Sequence, residues 1–330
     1  MQAAWYERKG PARDVLVIGE AERPEPGAGE VLVRVRASGI NPSDTKGRGG
    51  ARGNQAMPFP RIIPHQDGAG VIEAVGDGVP PARIGERVWL YEAQLGRPFG
   101  TAADYVALPA HQAVPLPDTI SFAEGASLGV PAMTAHRCVF ADGPVEGQTV
   151  LVTGGAGSVG FYAIQFAALA GARVIATVSD ERQADLARRA GAAFVINRRT
   201  DNVAVAVAAY TGCPSGRSID RIIEVAFGTN LETNTRLLRP NGVIATYSSD
   251  AEPAPVLPFW PLVMLDATVR FVLVYAMTRA AHDEAARAIT ATLVEGRLLH
   301  NIAAQLPLSA IAEAHERVEQ GAGGKVVIAL

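Results

Sequence analysis

Apolar and polar positions divide this chain near residue 122. Before that point, short apolar runs at 15–18, 30–36, 70–75 and 86–90 are punctuated by Gly and Pro, which predicts a β-rich region. The run Val31-Leu32-Val33-Arg34-Val35-Arg36 alternates apolar and polar positions, as a half-buried strand does. Residues 47–60 are glycine-rich, carry Arg48 and Arg52, and read as a mobile surface loop. At Ser121-Phe122-Ala123-Glu124 the pattern changes to a helix start, with Ser121 as N-cap and Glu124 three residues on. Strands and helices then alternate: strand 149–153, helix 158–170, strand 173–178, helix 181–190, short strand 193–196, helix 201–211, strands 219–225 and 243–247, and a last apolar strand at about 269–275. Such alternation predicts a parallel sheet with right-handed crossovers. Helical spacing returns at 281–298, and the tail 324–330 is β-like. No internal repeat is present.

The densest local signal lies between the first strand of the alternating region and its helix. Gly155, Gly157 and Gly160, in Gly155-Ala156-Gly157-Ser158-Val159-Gly160, fit G-x-G-x-x-G after a strand and at a helix start, the context that makes the motif informative. One glycine is expected to make the tight turn, one to admit a pyrophosphate, and one to let helix and strand pack closely. The free N–H groups and the dipole at the helix start favour the anion.

Composition narrows the picture. The 330 residues are 48% hydrophobic and 19% charged, with a formal charge of −3, so the chain is expected to be compact, soluble and without the basic surface that nucleic acid or acidic lipid requires. No apolar run reaches the roughly 18 residues of a membrane span. The first nine residues lack a signal-like apolar core and read as a strand; a reducing cytoplasm is the expected location. Cys138 and Cys213 supply neither a disulfide framework nor a metal cluster.

Several motifs occur together: Gly39-Ile40-Asn41-Pro42-Ser43-Asp44-Thr45, Pro64-His65-Gln66-Asp67-Gly68, Gly129-Val130-Pro131-Ala132-Met133-Thr134-Ala135, the glycine turn, and the tail 306–316 followed by Gly324-Lys325. With them the chain resembles the medium-chain dehydrogenase/reductase superfamily from end to end, and within it the zinc-free quinone oxidoreductase branch of zeta-crystallin type. The resemblance implies an α/β protein: a Rossmann-type doubly wound domain at 123–297, and a GroES-like β-rich catalytic domain at 1–122 completed by 298–330. Zinc-dependent relatives place ligands where this chain has Asn41, Gln66 and Val130. None of these is a usual zinc ligand, so no metal is expected. His65, one place before the ligand position, is expected to pack its loop, and Asp67 to order it.

An NAD site typically carries Asp or Glu at the end of the second strand, to bind the ribose 2′-OH. Here that residue is Ser179, with Arg182 and Arg198-Arg199 nearby. By resemblance Arg198 would bind the 2′-phosphate of NADPH, a task suited to a planar guanidinium. Asp180 argues the other way, and the arginines have an alternative reading as solvated surface residues. The resemblance further implies a nicotinamide in the cleft between the domains. Asn41 and Asp44 would border it, Thr134 and Asn230 would lie on the cofactor side, and Tyr247 and Ser248 near the ribose and pyrophosphate. Leu273, Val274 and Tyr275 would pass the nicotinamide, and Lys325 would close over the ribose. Lys46 stands where these relatives usually carry Tyr; it would contact substrate or a cofactor phosphate, or point to solvent. Asp44 would relay a proton or hydrogen-bond within its own loop.

The expected activity is NADPH-dependent reduction of a quinone by metal-free hydride transfer. Reduction of an α,β-unsaturated carbonyl shares every motif, and a non-catalytic NADPH-binding protein is the third reading. The apolar strand 269–275 is a candidate edge for pairing with a second copy, as a homodimer.

Overall fold

The computed structural model describes residues 1–51 and 56–330. Two compact units form, one from Met1–Val130 with Ala286–Leu330, the other from Pro131–Ala285. The divisions fall inside the helices Gly129–Phe140 and Arg279–Val294, not at 122 and 297. Hydrophobic spacing marks where a helix starts and stops; it does not say which core each of its turns joins.

The first unit is built on a mostly antiparallel sheet. Its strands run in the order Ile302–Pro307, Lys325–Ala329, Glu30–Ile40, Asp67–Val75, Arg87–Leu90 and Ala113–Pro115, and Tyr105–Pro109 pairs separately with Glu30–Ile40. Val31, Val33, Val35, Ile72, Val88 and Leu108 fill one core. Two registers gather polar residues at one edge of this sheet. Val326 pairs with Ile40, so Lys325 and Asn41 are the next residues out at that edge. Gly39 pairs with Asp67, which brings a third polar side chain to the same place.

The start of the 47–60 segment is not a surface loop. The helix Pro42–Gly49 runs through it, with Asn41 at its N-cap and a proline in its first turn. Arg48, expected on that loop, is 1% exposed; its guanidinium pairs with Glu319 and donates to the Gly10 carbonyl. A formal charge invites a surface reading, but here long-range partners pull the side chain inward. Arg52 and the rest of 52–55 lie outside the described residues.

The second unit holds a six-stranded sheet, parallel throughout, in the order Phe194–Asn197, Arg173–Val178, Thr149–Val152, Ile219–Glu224, Leu238–Thr246, Thr268–Phe271. Numbered along the chain, this is 3-2-1-4-5-6, the doubly wound order. Its ligand crevice lies at the carboxyl ends of the strands, where the order reverses between Thr149–Val152 and Ile219–Glu224. The last strand is shorter than the pattern suggests and ends at Phe271; a single 3₁₀ turn, Val274–Ala276, follows. Leu273, Val274 and Tyr275 therefore stand past the strand. Among the described residues, no helix is long and apolar enough to cross a membrane.

Candidate functional site

The glycine turn sits at the switch point of the second unit. Strand Thr149–Val152 is fully buried, and the helix Ser158–Leu169 starts from Gly157 as its N-cap. The left-handed turn is made by Gly154, at φ +65°, and not by Gly155, the first glycine of the motif. Gly155 serves packing instead: a Cβ there would lie 2.9 Å from Ala176 Cβ and from Ile164 Cδ1. Gly160 is pressed against the turn, where a Cβ would come within 2.3 Å of the Gly154 carbonyl oxygen. No side chain caps this helix start, and the first donor into the helix is Phe161 N–H, to Gly157 O at 2.9 Å. The N–H groups of Ser158, Val159 and Gly160 precede it and have no intrahelical acceptor, which is the arrangement that receives a pyrophosphate. Ala156 is buried behind them.

A residue without any local sequence signal holds this region together. Glu224, fully buried at the end of strand Ile219–Glu224, accepts from Thr153 Oγ1 at 2.8 Å, Asn230 Nδ2 at 3.0 Å, Asn234 Nδ2 at 2.7 Å and the Ala226 N–H at 2.5 Å. Asn230 thus braces the switch point through Glu224. A buried carboxylate with four donors is stabilised only by that full set. Its partners lie up to 71 residues away, so local pattern carries no sign of it.

At the end of strand Arg173–Val178, the Ser179 N–H donates to Gln183 Oε1 at 3.0 Å. Asp180 is the N-cap of helix Glu181–Arg189, its Oδ1 accepting from Gln183 N–H at 2.9 Å. That role accounts for a carboxylate at this position without a ribose. Arg198 lies beside Ser179, because its N–H bonds the Val178 carbonyl at 2.9 Å. The Arg182, Arg198 and Arg199 side chains are exposed and form no ion pair among the described residues.

Further along the same sheet edge is a cavity of about 380 Å³, lined by Phe227, Tyr247, Ser248, Leu257, Phe271 and Leu273 among others. The Tyr247 N–H donates to the Glu224 carbonyl, and Ser248 O accepts from Phe227 N–H. Val274 is buried and Leu273 exposed. Burial holds the Tyr247 phenol well above its ordinary pKa, so it is a neutral donor. Thr134 is buried within the helix Gly129–Phe140.

In the first unit, Asn41, Asp44, Asp67 and Lys325 form one buried cluster. Lys325 Nζ donates to Asn41 Oδ1 and to Asp67 Oδ2, each at 2.6 Å, and Asn41 Nδ2 donates to Asp67 Oδ2 at 2.8 Å. Asp67 Oδ1 takes the Val130 N–H at 2.8 Å. Only glycine permits this approach at residue 129, where a Cβ would sit 2.1 Å from Asp67 Oδ1. Asp44 Oδ2 accepts the Asn41 N–H at 2.7 Å, closing the first turn of helix Pro42–Gly49. Burial first, and the Asp67 charge second, push the Asp44 carboxyl up to about 7, against the pull of Asn41 and Lys325. Lys46 is exposed on the same helix. Lys325 does not stand as a free cation toward a ribose; two of its three donors are committed inside this unit.

The three positions where zinc-dependent relatives place ligands do not fit a metal. The Asn41 amide is occupied at both ends, Gln66 bonds Gln94, and Val130 has no ligating side chain, its N–H being given to Asp67. An ammonium holds the oxygens that a cation would need. Beside the cluster, His65 is fully buried at φ +82° and packs against His315.

Residues 27–118 match the alcohol dehydrogenase GroES-like domain, and residues 158–291 the zinc-binding dehydrogenase domain. Human quinone oxidoreductase is 31% identical, the alignment covering 98% of this chain and 96% of the human protein. The 2-haloacrylate reductase of a Burkholderia species is 30% identical over 96% of this chain and 94% of its own length. Among solved structures, the mycobacterial protein Rv1454c in complex with NADPH superposes over the whole of both chains, with a TM-score of 0.86 and 26% identity. Fold and site together define an oxidoreductase of the medium-chain dehydrogenase/reductase class. Within that class the chain belongs to the zeta-crystallin-like quinone oxidoreductase family.

Proposed function

We propose that this protein is an NADPH-dependent, zinc-independent quinone oxidoreductase. The observation that carries this reading is the Asn41–Asp67–Lys325 cluster, which replaces a metal site with an ammonium and leaves an electrophile that needs no Lewis acid as the matching substrate. Bound NADPH supplies the hydride. The amides of Ser158, Val159 and Gly160 receive the pyrophosphate, supported by Gly155, Ala156 and Gly157. Ser179, Arg182 and Arg198 hold the 2′-phosphate. Thr134, Asn230, Tyr247, Ser248, Leu273, Val274 and Tyr275 shape the rest of the cofactor site, and Asn41, Asp44 and Lys46 face the acceptor. Steady-state assays with NADPH or NADH against 1,4-benzoquinone and 9,10-phenanthrenequinone test the reading; no turnover with either quinone overturns it.

A second reading, reduction of an α,β-unsaturated carbonyl, is supported by the likeness to 2-haloacrylate reductase, and an enone in the same assay separates it. Tight NADPH binding with no turnover on any acceptor would leave the third reading, a non-catalytic NADPH-binding protein. We also infer a cytoplasmic homodimer. Its support is the edge strand Thr268–Phe271 with Trp260, Val263, Met264 and Phe271, all exposed apolar residues.

A further inference from the structure

Three ionisable side chains from three separate elements are shut into one place in the first unit. Asp44 comes from helix Pro42–Gly49, Asp67 from the strand Asp67–Val75, and Lys325 from the strand Lys325–Ala329. Two carboxyls and one ammonium are enclosed together. With every group ionised, the buried cluster would carry an excess negative charge, which a desolvated site resists by binding a proton. Geometry decides which carboxyl takes it. Asp67 receives the Lys325 ammonium, the Asn41 amide and the Val130 N–H, and these three donors hold it as a carboxylate. Asp44 has no ammonium in contact and is satisfied locally by the Asn41 backbone N–H.

We propose that Lys325 is a positioning residue: pinned against Asp67 and Asn41, it makes Asp44 the carboxyl that carries the cluster's one exchangeable proton, and that proton leaves with the reduced acceptor. This rests on the oxidoreductase reading above. The acceptor gains a hydride from the reduced nicotinamide and a proton from Asp44, so it is reduced by two electrons and departs neutral. With NADPH bound, its nicotinamide would supply that hydride and end oxidised; at Asp44 the O–H bond breaks as the acceptor's new bond to hydrogen forms, and the carboxylate regains its proton from water. The charged and titratable groups facing Asp44 are Asp67 and Lys325, with Tyr6 and Arg48 beyond. Tyr6 stays neutral, its phenol pushed up to about 12 by burial. Arg48 is already paired with Glu319 of helix Ile311–Glu319.

The test is an infrared pH titration of the carboxylic-acid C=O band, which needs no turnover, beside the pH profile of kcat. The wild type is expected to show one buried acid that ionises near pH 7, absent in Asp44→Asn. Lys325→Met moves that titration up by about one pH unit or more, because the facing cation is lost, and Lys325→Arg retains it. Asp67→Asn moves it down, since the facing negative charge is lost; this variant decides the matter if Lys325→Met does not fold. The limb of the kcat profile is expected to follow each shift. A band that persists in Asp44→Asn, that is missing from the wild type, or that keeps its position in both Lys325→Met and Asp67→Asn overturns the proposal. If no acceptor is reduced but the band behaves as described, the oxidoreductase reading fails and the assignment of the proton to Asp44 stands.

Discussion

The Lys325 ammonium meets the Asp67 carboxylate at 2.6 Å, across 258 residues of chain and with both side chains closed to water. A buried ion pair of this kind adds little net stability over an apolar pair, yet breaking it is costly, because the survivor is a desolvated charge. Lys325→Met is therefore expected to lower the unfolding free energy by about 3–5 kcal/mol. Adding Asp67→Leu, which removes the stranded carboxylate, should restore part of that loss. Guanidinium denaturation of the two single variants and the double variant measures the coupling; additive losses would show that the pair does not act as a unit.

The histidine pair beside this cluster makes acid sensitivity a second expectation. Thr101 Oγ1 donates to the Asp67 carbonyl at 2.6 Å, so the Ser38 hydroxyl must donate to Thr101 and accept from His65 Nδ1. His65 Nε2 then accepts from His315 Nε2 at 2.8 Å. His315 Nδ1 is left as a bare acceptor, without a partner among the described residues. Each imidazole is neutral in this chain of bonds. Burial, aided at His65 by His315, holds His65 well below its ordinary value, and burial lowers His315 to about 3. The folded state thus binds fewer protons than the unfolded chain. This contribution is complete above the unfolded histidine value, and it is lost as pH falls below about 6.5. Each histidine should remove roughly 1.4 kcal/mol per pH unit in that window. Asp44, held up at about 7, contributes the opposite slope between pH 5 and pH 7, so the histidine part is read as the difference in denaturation midpoints between wild type and His315→Gln, the variant losing less stability from pH 8 to pH 5.

The features legible in the sequence are those whose physics is local. Ser121 and Glu124 form the capping box their three-residue spacing announces, with the Ser121 N–H donating to Glu124 Oε2 at 2.8 Å. The alternation of strand and helix matches the parallel sheet, and the glycine motif marks its switch point. The motif starts at Gly155, yet the left-handed turn is made by Gly154 one place before it, and only the backbone dihedral reveals that. What escapes the sequence is long-range. Arg48 reads as a surface-loop residue because its partners, Gly10 and Glu319, lie 38 and 271 residues away. Lys325 reads as a ribose contact, and Glu224 carries no signal at all, for the same reason. Motif resemblance places a residue near a site, but the hydrogen bonds that fix its task come from elements far apart in the chain.

Two neighbouring glycines should separate packing from ligand approach. A Cβ at Gly157 would come no closer than 3.3 Å to protein, at the Gly154 carbonyl, whereas one at Gly160 would clash at 2.3 Å with backbone. Gly157→Ala is expected to keep the melting temperature within a few degrees while weakening NADPH binding, since the methyl adds bulk at the N-cap proposed to receive the pyrophosphate. Gly160→Ala should lose both stability and binding. Calorimetric melting paired with nicotinamide fluorescence titration checks the contrast; unchanged affinity in Gly157→Ala would remove the turn from the cofactor site.

Cofactor preference should reside in Arg198 and not in Asp180. An exposed charge-assisted hydrogen bond to phosphate contributes about 1.5–3 kcal/mol, so Arg198→Ala should weaken NADPH by roughly 10- to 100-fold and leave NADH nearly unchanged. Asp180 caps helix Glu181–Arg189. Its replacement by Ala should cost about 0.5–2 kcal/mol of stability without reversing the preference. A ratio of NADPH to NADH kcat/KM that falls with neither variant would place 2′-phosphate recognition elsewhere.

The open edge of the parallel sheet is expected to join two copies of the chain. Strand Thr268–Phe271 has no neighbour on its outer side among the described residues, and an unpaired edge seeks another strand. Around it Trp260 is 70% exposed, Met264 80% and Phe271 69%. Large apolar side chains at this exposure are costly in water, and a second copy of the chain related by a two-fold axis would cover them. Sedimentation equilibrium at micromolar concentration should give twice the mass of the chain. Trp260→Glu, which replaces an exposed aromatic residue by a charge, should shift it to the monomer while leaving the NADPH affinity of each subunit intact. A wild type that sediments as a monomer would refute the dimer.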